Sequence, residues 1–372
     1  MTSFMRAGLS RRAALRGGLG FAAGMASMTL TGCGSTEPNP AAAPKVKPVP
    51  DGDITWFTWD GYVAPEVVAG FEKKYGVKVT QTFFDSDDAM LQKLATGLPY
   101  DLVTNNSAYL ARSIAGGLVR PFDYADLKNI DQLVPFFKNA PYDKGAERYS
   151  VPYGLSSTGY LVRKDKAETT RSWSDLWNST AAKGHITVLP QMEETIGMSL
   201  LRNGKDLNSA DEAEVTAAVD ELIALKPALL NVSSDTENDV AGGNAWIAHT
   251  WPGTAYRIIK ASKTPEVFDF VQPKEGVPFG GDLLTIGAKA KAPGTAMLFI
   301  DWVLEAENAA RNVTATGYPN GTLSGDAQYA ELVKDYPFLD MGTETYEQAR
   351  WKDSPTGARL QMYTQQWNRF KA

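Results

Sequence analysis

Reactive side chains are scarce in this chain, while acids and aromatic rings are plentiful. Its 372 residues hold one cysteine, Cys33, and two histidines, His185 and His249. A single thiol leaves no disulfide framework and no thiol chemistry. Two histidines so far apart lack the spacing of a metal site. There is no G-x-S-x-G elbow and no histidine placed for a nucleophilic triad. No metal or other cofactor is implied. What remains is 43 acids, nine tryptophans and 15 tyrosines. Such a set is a rich aromatic supply in a net acidic chain, which is mildly biased toward cationic ligands. Aromatic faces attract a desolvated cation, each contributing about 0.5–2 kcal/mol. The same acids, taken in pairs, could serve as acid and base, so a hydrolase is the competing class. A surface adhesin or signalling partner is the third. Asp282 stands out because it opens an apolar run beside Gly280 and Gly281, where structure has little need of an acid.

Residues 1–32 read as a signal peptide. Arg6, Arg11, Arg12 and Arg16, with no acid among them, precede an uncharged apolar run over 17–30. That run is too short for a hydrocarbon core of ~30 Å but fits a signal-peptide core. Leu30-Thr31-Gly32-Cys33 resembles the lipobox of bacterial lipoproteins. The likeness implies cleavage before Cys33, acylation there, and a protein tethered to the outer face of the cytoplasmic membrane. Ser10-Arg11-Arg12-Ala13-Ala14-Leu15-Arg16 resembles a twin-arginine export signal, with Ala14 where phenylalanine is usual. Residues 33–52, with five prolines, read as an extended solvated linker. Loss of the leader's four arginines takes 37 basic side chains to 33 against 43 acids, a net charge of −10. A chain so acidic is a poor nucleic-acid binder and is mildly biased toward cationic ligands.

The mature length favours two domains. Residues 54–58 are β-rich, and 64–75 place Val67, Val68 and Phe71 at helical spacing behind Pro65. A strand at 77–83, a helix at 88–95 capped near Ser86, a strand at 101–104 and a helix at 107–116 follow. This alternation predicts a parallel sheet with helices on both faces. Strands at 157–162, 186–189, 245–250 and 282–286 continue the rhythm, with helices at 193–201, 210–225, 293–304 and 356–370. Two α/β units crossed more than once imply a bilobed α/β fold. Lobe 1 is assigned 53–153 with 282–326, and lobe 2 is assigned 154–281 with 327–372. Ligands favour the cleft between such units, at the carboxyl ends of strands.

Seven blocks, in order, resemble polyamine-binding proteins of ABC importers. They are Trp56-Phe57-Thr58-Trp59-Asp60-Gly61-Tyr62-Val63-Ala64-Pro65, Tyr100-Asp101-Leu102-Val103, Tyr149-Ser150-Val151-Pro152-Tyr153-Gly154 and Ser172-Trp173-Ser174-Asp175-Leu176-Trp177. Trp251-Pro252-Gly253-Thr254-Ala255, Gln272-Pro273-Lys274-Glu275-Gly276 and Thr316-Gly317-Tyr318-Pro319-Asn320 complete the series. The resemblance implies a type II periplasmic-binding-protein fold and a monomer with no enzymatic activity. Such a protein captures putrescine or spermidine between its lobes and presents it to a membrane permease. It also implies Trp59 and Trp251 as aromatic walls and Tyr318 as a third wall or hydroxyl donor. Asp282 matches the carboxylate for the internal or distal amine, Glu194 a second carboxylate, and Asn106 a polar serine.

Departures from the family pattern bear on the ligand. Gly280 stands where the family has tryptophan, and Ala108 where it has tyrosine, with Tyr109 supplying the ring next door. Gln191 replaces a carboxylate, and Asp60 replaces a threonine and offers an acid on the opposite wall. Lys352 stands for a glutamine; a lysine there repels an ammonium and welcomes a carboxylate. The expected ligands therefore extend to a shorter diamine, an ω-amino acid of the γ-aminobutyrate type, or another zwitterionic amine. Taken singly, Trp59 and Trp251 read as core, Asp60 as a turn or cap acid, and Glu194 as an acid favoured by a helix dipole.

Overall fold

The computed structural model describes residues 46–145, 147–322, 327–340 and 350–372. The leader, Cys33 and the linker up to residue 45 lie outside the described residues. In chain order the strands are β1 (Ile54–Thr58), β2 (Val79–Phe83), β3 (Leu102–Asn106), β4 (Val119–Arg120), β5 (Ser150–Ser157) and β6 (Gly159–Arg163). Then come β7 (Ile186–Val188), β8 (Leu229–Val232), β9 (Ile247–Thr250), β10 (Phe268–Val271), β11 (Pro278–Gly287) and β12 (Arg350–Trp351).

These strands form two sheets, one per lobe. The first runs β12-β11-β3-β1-β2, with β4 and β5 also paired to β11; the second runs β10-β6-β9-β7-β8. β1 lies parallel to both β2 and β3, with Ile54 opposite Val79 and Trp56 opposite Leu102. There the expected parallel pattern holds. β11, however, runs antiparallel to β3 and β5, so the sheet is mixed. Parallel neighbours need a crossover on their own sheet; β11 enters instead from the other lobe, after β10.

β11 is also longer than the sequence suggests. It spans ten residues, all buried, so Asp282 lies in mid-strand rather than opening it. Glycine is what allows this. A Cβ on Gly281 would sit 2.6 Å from the Gly154 carbonyl, so β5 and β11 approach closely only because none is there.

Local signals explain the helices around this frame. Pro65 opens helix Pro65–Tyr75, and Gly76, at φ 69°, closes it by donating to the Glu72 carbonyl. Val67 and Phe71 of that helix join Phe299 and Ile300 of helix Pro293–Leu304 in the lobe 1 core. The Ser86 hydroxyl accepts from Ala89 N–H and caps helix Asp87–Ala95. The helix expected over 107–116 starts later, at Leu110, because Asn106 Oδ1 takes the Ala108 N–H in a turn. In lobe 2, helices Met192–Arg202 and Glu212–Leu225 pack with Tyr363, Trp367 and Phe370 of the C-terminal helix Gly357–Lys371.

Among the described residues three passages join the lobes next to strands, and Tyr336 and Phe338 also pack on the lobe 2 core before the chain reaches β12. The passages are Thr158, between β5 and β6; residues 272–277, before β11; and residues 352–356, after β12. The assigned boundaries shift accordingly: β5 keeps 154–157 and β11 keeps 278–281 in the lobe 1 sheet, and β12, assigned to lobe 2 from the sequence, pairs with β11 in lobe 1. The passages are tied to one another and to their surroundings: Thr158 N–H donates to Pro278 O at 2.8 Å, Gln272 Nε2 to Ser157 Oγ at 2.8 Å, and Lys352 N–H to Phe279 O at 2.8 Å.

Candidate ligand-binding site

Asp282 faces Asn106 on β3 and Gly154 on β5, and the ladder bulges between Asp282 and Leu283. A bulge of this kind re-aims a side chain out of the regular ladder. The carboxyl is only 8% exposed, and its Oδ1 accepts no hydrogen bond among the described residues. Burial pushes its pKa up to about 6, against the opposing pull of Tyr62, Lys352, Trp59 and Asn106. Tyr62 lies in the turn region after β1, its ring 5.4 Å from that of Tyr318 and 5.6 Å from that of Tyr153. Its hydroxyl is held well above its ordinary pKa, first by burial and then by the Asp282 charge. Gly154 makes room for this ring, because a Cβ there would lie 2.1 Å from Tyr62 Oη. The indole of Trp59, edge-on to Phe84 at 4.3 Å, borders the same carboxyl.

A second acid belongs to this group. Asp87 opens helix Asp87–Ala95, and its Oδ1 is likewise buried with no hydrogen-bond partner among the described residues. Burial raises its pKa well above the ordinary range, and the Asp282 charge adds to the rise. Two such carboxyls cannot both ionise cheaply unless a cation joins them. The sequence offered Asp87 only as a neighbour of a helix cap, and Tyr62 only as part of a matched block.

At the other end lies an ion pair that bridges the lobes. Lys352 follows β12 of lobe 1, and its Nζ binds Glu194 Oε1 on helix Met192–Arg202 of lobe 2. The side chains are 13% and 4% exposed. Glu194 Oε2 accepts from Thr158 Oγ1 at 2.6 Å, at the first passage between the lobes. Burial works to raise the Glu194 pKa, but Lys352 and Thr158 overcome it and hold the carboxyl below its ordinary value. Lys352 is pressed down by burial yet ends above its ordinary value because of Glu194. The lysine expected to meet a ligand carboxylate is thus already satisfied by the protein.

Other expected site residues are placed as follows. The half-buried Tyr109 has its hydroxyl pKa raised by burial and by Glu193, Asp87 and Asp88, and Arg112 lies 4.9 Å from its ring centroid. Trp251 is half-buried at the start of helix Pro252–Ala261 and makes no ring contact among the described residues. Tyr318 is buried against Gly253, whose added Cβ would come 2.4 Å from the ring. Asp60 is exposed in the turn after β1. His249 is buried 5.4 Å from Trp173, and burial brings its pKa down to about 4, so it stays neutral. Among the described residues no group of three or more His, Cys, Asp or Glu could hold a metal ion.

A family model for bacterial extracellular solute-binding proteins matches residues 66–339. The chain belongs to that family. The spermidine/putrescine-binding periplasmic protein 1 of Haemophilus influenzae is 28% identical over 94% of this chain and 97% of its own length. The spermidine/putrescine-binding periplasmic protein of Escherichia coli is 30% identical over 86% of this chain and 91% of its own. Among solved structures, the spermidine/putrescine ABC transporter substrate-binding protein of Streptococcus pneumoniae superposes with a TM-score of 0.73. It is 25% identical, covering 86% of this chain and 98% of that one. The expected type II periplasmic-binding-protein fold is therefore present. This binding protein captures a solute outside the cytoplasm and does no chemistry on it, which removes the hydrolase reading.

Proposed function

We propose that the binding protein captures a polyamine of the putrescine/spermidine class in the cleft and delivers it to an ABC permease. The observation that carries this reading is the buried Asp282 carboxylate oxygen, unpartnered among the described residues and bordered by Tyr62, Trp59 and Tyr318, with the likewise unpartnered Asp87 oxygen electrostatically coupled to it. A desolvated ammonium satisfies both carboxylates at once, and the rings shield its methylenes. Asn106, which acts on Asp282, and Tyr109, on which Asp87 acts, are assigned to the lobe 1 side, and Trp251 is assigned to the lobe 2 wall on the family resemblance. The names of the two periplasmic relatives agree with this class. Closure of the lobes about the passages between them removes water from the bound ammonium. An ω-amino acid is disfavoured, because its carboxylate would have to draw Lys352 away from Glu194.

Titration of the mature protein with putrescine, cadaverine, spermidine and γ-aminobutyrate tests the reading. A diamine at 100 times its Kd is expected to stabilise by about 2.7 kcal/mol, read as a rise in Tm. Absence of a shift with every amine would overturn it.

The leader motifs support export, with the twin-arginine segment as the route and acylated Cys33 as the anchor on the outer membrane face. Cys33→Ser is expected to move the protein from the membrane fraction to the soluble fraction. Retention in the membrane would refute the anchor.

A further inference from the structure

Two departures from the polyamine-binding pattern, Gly280 and Lys352, lie 72 residues apart in sequence and touch in space. A Cβ added to Gly280 would sit 3.4 Å from Ser107 Oγ and 3.7 Å from Lys352 Cε, so the lysine stem lies over the site of the missing side chain. Gly280 lies two residues before Asp282 on β11, about 7 Å away at strand spacing. The lysine stem therefore covers the strand along which a ligand held at Asp282 would continue. Its backbone is fixed to that strand by the Lys352 N–H bond to Phe279 O. Its ammonium ends on Glu194, the acid that the resemblance assigns to a second ligand ammonium.

We infer that Lys352 is a tethered ammonium that occupies a ligand subsite and shortens the accepted polyamine by one cationic group, selecting diamines over triamines. The inference rests on the polyamine reading and goes beyond it by assigning the length limit to one residue. Several facts make the substitution physically complete. Glu194 is satisfied from both sides, by Lys352 on Oε1 and Thr158 on Oε2. Among the described residues the buried carboxylate oxygens without a hydrogen-bond partner are those of Asp282 and Asp87, whereas Glu194 has none to spare. A third ammonium would meet the Lys352 charge instead of a free carboxylate, and like charges in a dry site repel.

Calorimetric titration of putrescine and spermidine into wild type, Lys352→Gln and Lys352→Arg tests this. Wild type and Lys352→Arg are expected to prefer putrescine. Lys352→Gln is expected to raise the spermidine-to-putrescine affinity ratio at least tenfold, as the ligand's third ammonium takes over Glu194. The double variant Glu194→Gln/Lys352→Gln should show no such gain. If Lys352→Gln is too unstable to titrate, spermidine must raise its Tm more than putrescine does, and the reverse order overturns the inference. A wild-type preference for spermidine, or an unchanged ratio in Lys352→Gln, also overturns it while leaving the polyamine reading standing. Failure of wild type to bind any amine instead removes the polyamine reading, and the inference with it.

Discussion

Asp282→Asn is expected to weaken putrescine binding by about 2–5 kcal/mol, some 30- to 5,000-fold, the range for removing one member of a buried charge pair. The change keeps the size of the side chain, so the cleft should retain its shape. Folding should not suffer. The native carboxyl titrates at about 6, above its unfolded value near 3.8, so the folded state binds the extra proton between these values. Its contribution to stability falls as pH rises through that window, and the ionised group is a cost at neutral pH. The variant should therefore melt no lower than wild type at pH 7.5 while losing ligand. The same group sets the pH response of wild type. Binding an ammonium favours the carboxylate, so affinity is full above about pH 7 and drops by up to tenfold per unit below about 6. Calorimetry between pH 5 and 8 checks both statements. Full affinity in Asp282→Asn would remove this carboxylate from the site.

Glu194→Gln carries the second large effect, on stability. It leaves the Lys352 ammonium almost buried at the lobe boundary without its closest partner. Breaking a buried pair from one side costs about 3–5 kcal/mol. The low end is expected here, because Glu193 and Asp87 also act on Lys352. Removing both charges, as Glu194→Gln/Lys352→Met, should recover most of the loss, since a buried pair replaced by packed neutral groups is often neutral in stability. Urea unfolding of wild type, the single variant and the double variant measures the cycle. Equal midpoints for single variant and wild type would mean the pair is open to water in solution.

The ordering of strands and helices in lobe 1 was legible because its signals are local. Pro65 and Gly76 bound a helix, Ser86 caps the next, and apolar spacing selects the faces that Val67 and Phe71 bury. The order of short aromatic and acidic blocks was enough for the family and the bilobed fold. It also singled out Asp282, since an acid between glycines and an apolar strand has no local use.

Sequence alone could not reveal the direction of β11, the bulge that re-aims Asp282, or the membership of Tyr62 and Asp87 in the site. Each depends on which strands and helix ends meet after the chain has crossed between lobes. Lys352 shows the difference most clearly. Its type and position suggested a free cation for a ligand carboxylate, yet its partner lies 158 residues away on the opposite lobe. Residue type fixes what charge a side chain can carry. Whether that charge is spent on the protein or left for a ligand depends on which distant group the crossings bring within reach, because a buried ion is stable only beside its counterion.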